Sequence, residues 1–325
     1  LIELQGVGKT YRDGTQAVKP LDLTIETGET VVLIGPSGCG KTTTLKMMNR
    51  LIEPSEGQVV KDGEPVQQLS VQMLRWNMGY VLQQIGLFPT MTIAENIAVV
   101  PEMKKWSAAR ISSRIDELLE MVGLTPATYR DRMPHELSGG QQQRVGVVRA
   151  LAGDPDVLLM DEPFSALDPI SRQQLREDLK SLQARIQKTM IFVTHDMDEA
   201  LTLGHRIALM NEGKIVQLGT PQELLQQPAD EFVRTFIGDR RAHRDLAVAE
   251  VLKSESRWLT VENSVKTVVP ALAEAPPLSP SASLQEAAEI LRSTDAPAVP
   301  VIEAGELLGT ISFEDIAVYV LGGEA

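Results

Sequence analysis

Eight consecutive residues, Gly35-Pro36-Ser37-Gly38-Cys39-Gly40-Lys41-Thr42, have the spacing of a phosphate-holding loop. This G-x-x-x-x-G-K-T run follows the apolar Val31-Val32-Leu33-Ile34 and precedes a helix-like stretch at 43–50. Strand, loop and helix in that order are the setting the motif requires. Glycines let the loop turn its backbone N–H groups onto phosphate oxygens, and the helix N-terminus adds a favourable dipole. Lys41 is expected to reach the β and γ phosphates of a nucleotide, and the Thr42 hydroxyl to ligate Mg²⁺. The plainer reading, a Gly-rich turn, does not account for that setting. Cys39 reads as a small loop residue, not a redox centre. An earlier triplet, Gly8-Lys9-Thr10, is a decoy, because Glu3 stands where the first glycine of the motif is needed.

Two further apolar runs end in chemistry. Val157-Leu158-Leu159-Met160 reads as a buried parallel strand and leads into Asp161-Glu162-Pro163. Carboxylates at the C-terminal end of such a strand lie where open α/β sheets bind ligands. Asp161 is expected to hold Mg²⁺ through water, and Glu162 to polarise the attacking water. Met190-Ile191-Phe192-Val193-Thr194 ends at His195-Asp196, and the shared strand edge makes His195 a candidate γ-phosphate contact rather than a structural histidine. Finally, Leu137-Ser138-Gly139-Gly140-Gln141 opens a helix expected at 141–151, a second anion-binding N-terminus. One nucleotide has no need of two such sites in one chain. The economical answer is that the second serves a partner's nucleotide in a head-to-tail dimer; the alternative is simple helix capping.

The elements that carry these residues fit an ordinary globular composition. The 325 residues are 43% hydrophobic and 23% charged, enough for about two domains. No apolar run reaches the roughly 18–20 residues that span a bilayer. Net charge is −13, the wrong sign for a chain whose principal partner is nucleic acid. Leu1-Ile2-Glu3-Leu4 shows no secretory leader, and one cysteine cannot form an internal disulfide, so a reducing compartment is expected.

Taken together, 35–42, 137–141, Asp161-Glu162, Ser165-Ala166-Leu167-Asp168 and His195 resemble, in order and spacing, the nucleotide-binding subunits of ABC transporters. They are similar to that family's Walker A, signature, Walker B, D-loop and H-loop. Gln83 matches the Q-loop better than its neighbour Gln84, and Tyr11 matches the aromatic residue that stacks on adenine. The resemblance spans roughly 1–237. It implies an ATPase with ATP and Mg²⁺, catalysis by Glu162, His195, Gln83 and Lys41, and Mg²⁺ contacts from Thr42, Gln83 and Asp161. ATP would be held by Tyr11, the loop and Thr43, and in trans by 137–141 with Asp168. The implied fold is α/β, a P-loop NTPase with a parallel-sheet core at 1–86 and 151–237 and a β-rich N-terminal part. A helical subdomain fills 87–150. Within it, 110–122 places Ile111, Ile115, Leu118, Leu119 and Val122 on one face, and near the core's end 207–218 reads as a hairpin around Asn211-Glu212-Gly213.

Subfamily features, Gln83-Gln84-Ile85-Gly86-Leu87-Phe88-Pro89 with Met91-Thr92-Ile93, Thr43-Thr44 and Ile52-Glu53-Pro54, resemble importers of glycine betaine, carnitine and choline. ATPase subunits of amino-acid, methionine or polyamine importers share much of this framework. The importer resemblance implies permease subunits docking at the Gln83 segment and helical subdomain, an extracytoplasmic solute-binding protein, and a peripheral place on the cytoplasmic face of the cell membrane. Soluble ABC proteins of DNA repair or translation are the other class. Repair-type members insert a long coiled coil where only 54 positions separate Gln83 from Leu137, and translation-type members carry two cassettes. A P-loop kinase or GTPase leaves 137–141 unexplained.

The tail, 238–325, carries −7 of the net charge behind a basic entry, Arg240, Arg241, His243 and Arg244. After Ala275-Pro276-Pro277-Leu278-Ser279-Pro280 come an expected helix (283–293), strand (298–302), turn at Gly305, strand (307–312) and helix (313–320). This order, with Gly309-Thr310-Ile311-Ser312-Phe313-Glu314-Asp315-Ile316, looks like one CBS motif. Ser312 and Asp315 are candidate regulatory-ligand contacts in a regulatory or dimerising domain, or simply a cap for the last helix. The family normally carries two copies; 246–272 looks like a shortened first one. An OB barrel is disfavoured by the helix at 283–293.

Overall fold

A computed structural model describes residues 1–83, 86–165, 167, 169–186, 188–238, 276–280, 282–294, 299–303 and 306–312. Asp168, Asp315, Gln84, the basic entry, the shortened copy at 246–272 and the closing helix at 313–320 lie outside them. The chain forms two compact units, Leu1–Phe236 and Ile237–Ala325.

In the first unit two sheets share a core. One is antiparallel, in the order β2 (Gln16–Ile25), β1 (Ile2–Thr10), β4 (Glu56–Lys61) and β5 (Glu64–Pro65). The decoy triplet Gly8-Lys9-Thr10 is the end of β1. The other sheet has six strands, in the order β10 (Lys214–Gly219), β9 (Arg206–Asn211), β3 (Thr30–Ile34), β8 (Thr189–Thr194), β7 (Val157–Asp161) and β6 (Met78–Val81). All pair in parallel except the edge strand β10. Every residue of β3, β7 and β8 is buried, as continuous apolar runs demand when helices cover both faces. β9 and β10 are the expected hairpin, turning through Glu212 (φ 46°) and Gly213 (φ 78°), the paired positive dihedrals of a two-residue turn.

Helix starts follow their caps and so depart from the sequence expectations. α1 runs from Lys41 to Met48, beginning directly after Gly40 and not at 43, and the short α2 is Val71–Trp76. α3 (Ile93–Met103) starts on a Thr92–Glu95 capping box, and α4 (Ala108–Met121) on Ser107. In α4, Ile115, Leu118 and Leu119 are buried, as is Val122 just beyond it, while Ile111 is half-buried. After the short α5 (Pro126–Tyr129), α6 spans Gly139–Leu151, two residues earlier than expected, because Ser138 is its N-cap. α7 (Pro169–Ile186) packs against α8 (Met197–Leu203), whose N-cap is Asp196, and α9 (Pro221–Gln226) and α10 (Glu231–Ile237) follow. Glu199, on α8, is 4% exposed and accepts a hydrogen bond from the Thr194 hydroxyl. Burial pushes its carboxyl up to about 7, with Asp196 adding to the effect and Thr194, Arg172 and Arg176 opposing it.

In the second unit α11 (Leu284–Thr294) starts at Ser283, whose Oγ accepts the Glu286 N–H (3.2 Å). β11 (Val299–Glu303) and β12 (Glu306–Ile311) pair antiparallel, and Leu278 bridges to Val301 in parallel. Leu278, Ala287, Leu291, Val299, Val301 and Ile311 are buried. The helix excludes a pure barrel at this position.

Two predictions follow from the packing. A Cβ on Gly79 of β6 would lie 2.4 Å from the Ala150 carbonyl oxygen of α6, a backbone atom that cannot swing aside. Gly79→Ala should cost roughly 1–3 kcal/mol and lower Tm by several degrees in a thermal melt. Glu199 has its folded pKa, about 7, above its ordinary 4.5, so its contribution to stability is complete below pH 4.5 and is lost as pH rises through 7. Glu199→Gln cannot ionise and should gain stability relative to the wild type between about pH 5 and 8, by roughly 3 kcal/mol at most. A Tm difference flat across that range would contradict this.

Candidate functional site

Strand register delivers the site. Leu33, Val193 and Asp161 are aligned across β3, β8 and β7, so all three strands end at one edge of the sheet. From that edge emerge the loop at 35–40, His195 and Glu162. Val81 of β6 pairs with Met160, and Gln83 follows two residues later.

The loop is held by close backbone contacts. A Cβ on Gly35 would lie 2.0 Å from the Met210 carbonyl oxygen, and one on Gly40 (φ 104°) 2.6 Å from that of Ala17. Only glycine fits either place. The hairpin turn ties in as well: the Gly213 N–H donates to the Cys39 carbonyl (3.2 Å), and the Lys19 N–H to the Gly213 carbonyl (2.8 Å). Cys39 is buried, and burial pushes its thiol up, which fits a packing role.

Lys41 is 5% exposed and donates from Nζ to the carbonyls of Gly35 (2.8 Å) and Pro36 (2.9 Å). A cation thus sits enclosed by the loop with neutral partners, the arrangement an anionic phosphate would complete. The Thr42 hydroxyl donates to Asp161 Oδ1 (2.7 Å), and the Tyr80 hydroxyl to Asp161 Oδ2 (3.1 Å). Burial, reinforced by the Asp161 charge, pushes the Tyr80 hydroxyl well above its ordinary value and keeps it a donor. Thr42 and Asp161 offer adjacent hard oxygens of the kind Mg²⁺ takes. Among the described residues no cluster of three or more His, Cys, Asp or Glu could hold a metal alone, so phosphate and water oxygens would complete the shell. The donor set fits Mg²⁺ bound together with a nucleotide.

Glu162 leaves the strand with φ 45°, a left-handed dihedral costing about 1–3 kcal/mol in a non-glycine residue. It is pinned there: its N–H donates to Val193, and its carbonyl accepts the Ser165 N–H (3.2 Å) and hydroxyl (2.9 Å). The side chain ends between two groups. Gln83 Nε2 donates to Glu162 Oε2 at 3.3 Å, and His195 Nδ1 lies 3.3 Å from the same oxygen. Gln83, Glu162 and His195 therefore meet at one oxygen, beside the Thr42–Asp161 pair.

Ser138 and Gln141 form a reciprocal cap, each side chain bonded to the other's N–H (3.3 and 3.0 Å), and Gln141 Nε2 donates to Tyr129. Gln142 Nε2 donates to the Leu137 carbonyl (3.0 Å). Among the described residues none of these bonds reaches 35–42. Tyr11 stands 40% exposed on a turn after β1, with the Lys9 ammonium 5.5 Å from its ring centroid. Ser312 is half-buried just after β12.

Sequence reasoning missed three supports. Tyr80 carries no charge signal in an apolar strand. Asn96, fully buried on α3, accepts the Phe88 N–H and donates to the carbonyls of Phe88, Met91 and Thr92, clamping the segment after Gln83. An Asn inside an apolar helix face was the available clue. Arg149, on α6, donates to the Gly86 carbonyl (2.7 Å) and lies 5.8 Å from the Phe88 ring, linking α6 to the same segment.

The chain matches known proteins in both of its units. The family described as ABC transporter matches residues 18–165, and the CBS domain family matches 268–322. A glycine betaine/carnitine/choline transport ATP-binding protein of Bacillus subtilis is 55% identical over 241 residues, 74% of this chain. The chain spans 63% of that relative's length. A glycine betaine uptake system ATP-binding protein of Escherichia coli is 43% identical over 323 residues, covering 98% of this chain and 99% of the relative. Among solved structures, a dimeric ATP-binding cassette in a post-hydrolysis state with ADP and Pi superposes with TM-score 0.61 at 35% identity, over 68% of this chain and 99% of its own. With an α/β ABC ATPase fold followed by a CBS domain, the chain belongs to the family of ABC transporter ATP-binding proteins.

Proposed function

We propose that this chain is the ATP-hydrolysing subunit of an ABC importer for quaternary-ammonium compatible solutes of the glycine betaine, carnitine and choline class. The observation that carries the ATPase reading is the convergence of Gln83 and His195 on Glu162 Oε2, beside the Thr42–Asp161 pair, at the edge where Lys41 sits in its loop. The solute class follows the two relatives named above.

In this reading the loop amides and Lys41 bind the phosphates, and Thr42 and Asp161 hold Mg²⁺. The bound ion supplies neutralisation of charge on the β and γ phosphates. Glu162 accepts a proton from the attacking water, which Gln83 and His195 help to place. Ser138 to Gln141 present a capped helix N-terminus, with Asp168 as a further contact, to the nucleotide of a second copy, so each ATP lies between two subunits. Leu82, next to Gln83, and Phe88, five residues after it, are both exposed and support this segment as the docking place for permease subunits. The solute-binding protein would act on the far side of the membrane, and this subunit on the cytoplasmic face. The CBS-like domain, with Ser312 and Asp315 as candidate ligand contacts, is read as a regulatory or dimerising module.

Glu162→Gln keeps the size of the side chain but cannot take the proton. Hydrolysis by the purified protein should fall about 10²–10⁴-fold while ATP binding persists. In cells carrying only this variant, uptake of labelled glycine betaine, carnitine and choline should drop to background while spermidine and methionine uptake stays normal. Hydrolysis near the wild-type rate would remove Glu162 from the mechanism, and undiminished uptake of all three solutes would overturn the solute assignment.

A further inference from the structure

A three-sided ring of hydrogen bonds surrounds the turn that carries His195. Thr194 Oγ1, at the end of β8, accepts the Asp196 N–H across His195 (3.0 Å). Asp196 Oδ1 accepts the N–H groups of Asp198 (2.8 Å) and Glu199 (3.3 Å). The Thr194 hydroxyl in turn donates to Glu199 Oε2, which closes the ring.

Glu199 is an expensive way to make that closure. A carboxyl group taken out of water costs free energy that an apolar residue would not. Its neighbours on α8, Met197, Ala200 and Leu203, are buried and apolar. The charges that bear on it come from two sides: Asp196 at the head of its own helix, and Arg172 and Arg176 on α7, which packs against α8. Arg172 also donates from Nη2 to the Leu167 carbonyl (3.2 Å), in the segment after Glu162. His195 has little packing of its own. Its side chain is 58% exposed, so apart from the Glu162 contact its direction follows the backbone at 194–196, which the ring fixes.

We infer that Glu199 is a positioning residue for His195: its carboxyl holds the Thr194 hydroxyl, Thr194 holds the Asp196 amide, and the turn between them aims His195 at Glu162. The inference rests on the reading of His195 and Glu162 as parts of an ATP-hydrolysing site. It differs from simple core packing in one respect, that an acceptor oxygen at this place is sufficient and charge is not required.

The test uses the full chain with two readouts, hydrogen exchange at the Asp196 amide and steady-state ATP hydrolysis. Glu199→Ala should speed exchange at Asp196 about tenfold or more and lower kcat by about tenfold or more, with KM for ATP within about twofold of the wild type. Glu199→Gln, whose amide oxygen still accepts the Thr194 hydroxyl, should restore both to near wild-type values. Unchanged exchange in Glu199→Ala, identical behaviour of the Ala and Gln variants, faster exchange without loss of kcat, or a loss expressed as a raised KM would each overturn the inference. If Glu199→Ala does not fold, Thr194→Val, which lacks the hydroxyl, and Thr194→Ser, which keeps it, form the same pair of loss and rescue. A wild-type protein that does not hydrolyse ATP would refute the ATPase reading, while the exchange measurement would still decide whether Glu199 holds the turn.

Discussion

Asp161 closes β7 inside the sheet, and one residue later Glu162 takes a left-handed φ of 45°, so two adjacent carboxylates serve different partners. Much of the site depends on this break. Had Glu162 continued the strand, its side chain would alternate to the opposite face from Asp161 and run along the sheet. Instead the Val193 carbonyl and the Ser165 side chain pin its backbone, and its carboxylate stands between Gln83 and His195. Asp161 stays below, bonded to Thr42 and Tyr80. The strain is local, and the bonds that hold it come from the neighbouring strand and the following turn.

The groups around that break come from strands of the six-stranded sheet. β3 supplies the loop, β6 supplies Gln83 and Tyr80, and β8 supplies His195, each through a short exit from a buried strand. The floor beneath the loop is made by the β9–β10 hairpin, through Met210 and Gly213. The helical part reaches the site only indirectly, where Arg149 and Asn96 hold the segment that follows Gln83. Movement of those helices would therefore be felt at Gln83, and through it at Glu162.

Much of this was legible in the sequence, for stated reasons. The strands were visible because both faces are buried and their apolar runs are unbroken, as in Val157 to Met160. The loop was visible because Gly35 and Gly40 stand where backbone oxygens approach too closely for any side chain. Helix boundaries were less legible: α1 and α6 each begin two residues early, since Gly40 and Ser138 act as N-caps and the residues after them are already helical. Tyr80, Asn96 and Glu199 were missed because each is a polar residue packed among apolar neighbours of its own element, and its partner lies far along the chain or across a turn. Pattern reading detects periodicity and motif spacing; it does not detect a lone buried hydrogen bond.

The account turns on the claim that 137–141 complete a nucleotide site on a second copy, since among the described residues their bonds stay within the helical part. Sedimentation velocity on the Glu162→Gln protein, with and without Mg²⁺ and ATP, tests this directly. The account predicts an ATP-dependent rise in the dimer fraction, and loss of that rise when Ser138→Arg is introduced alongside. A protein that stays monomeric in saturating ATP, or an ATP-driven dimer that survives Ser138→Arg, would contradict it.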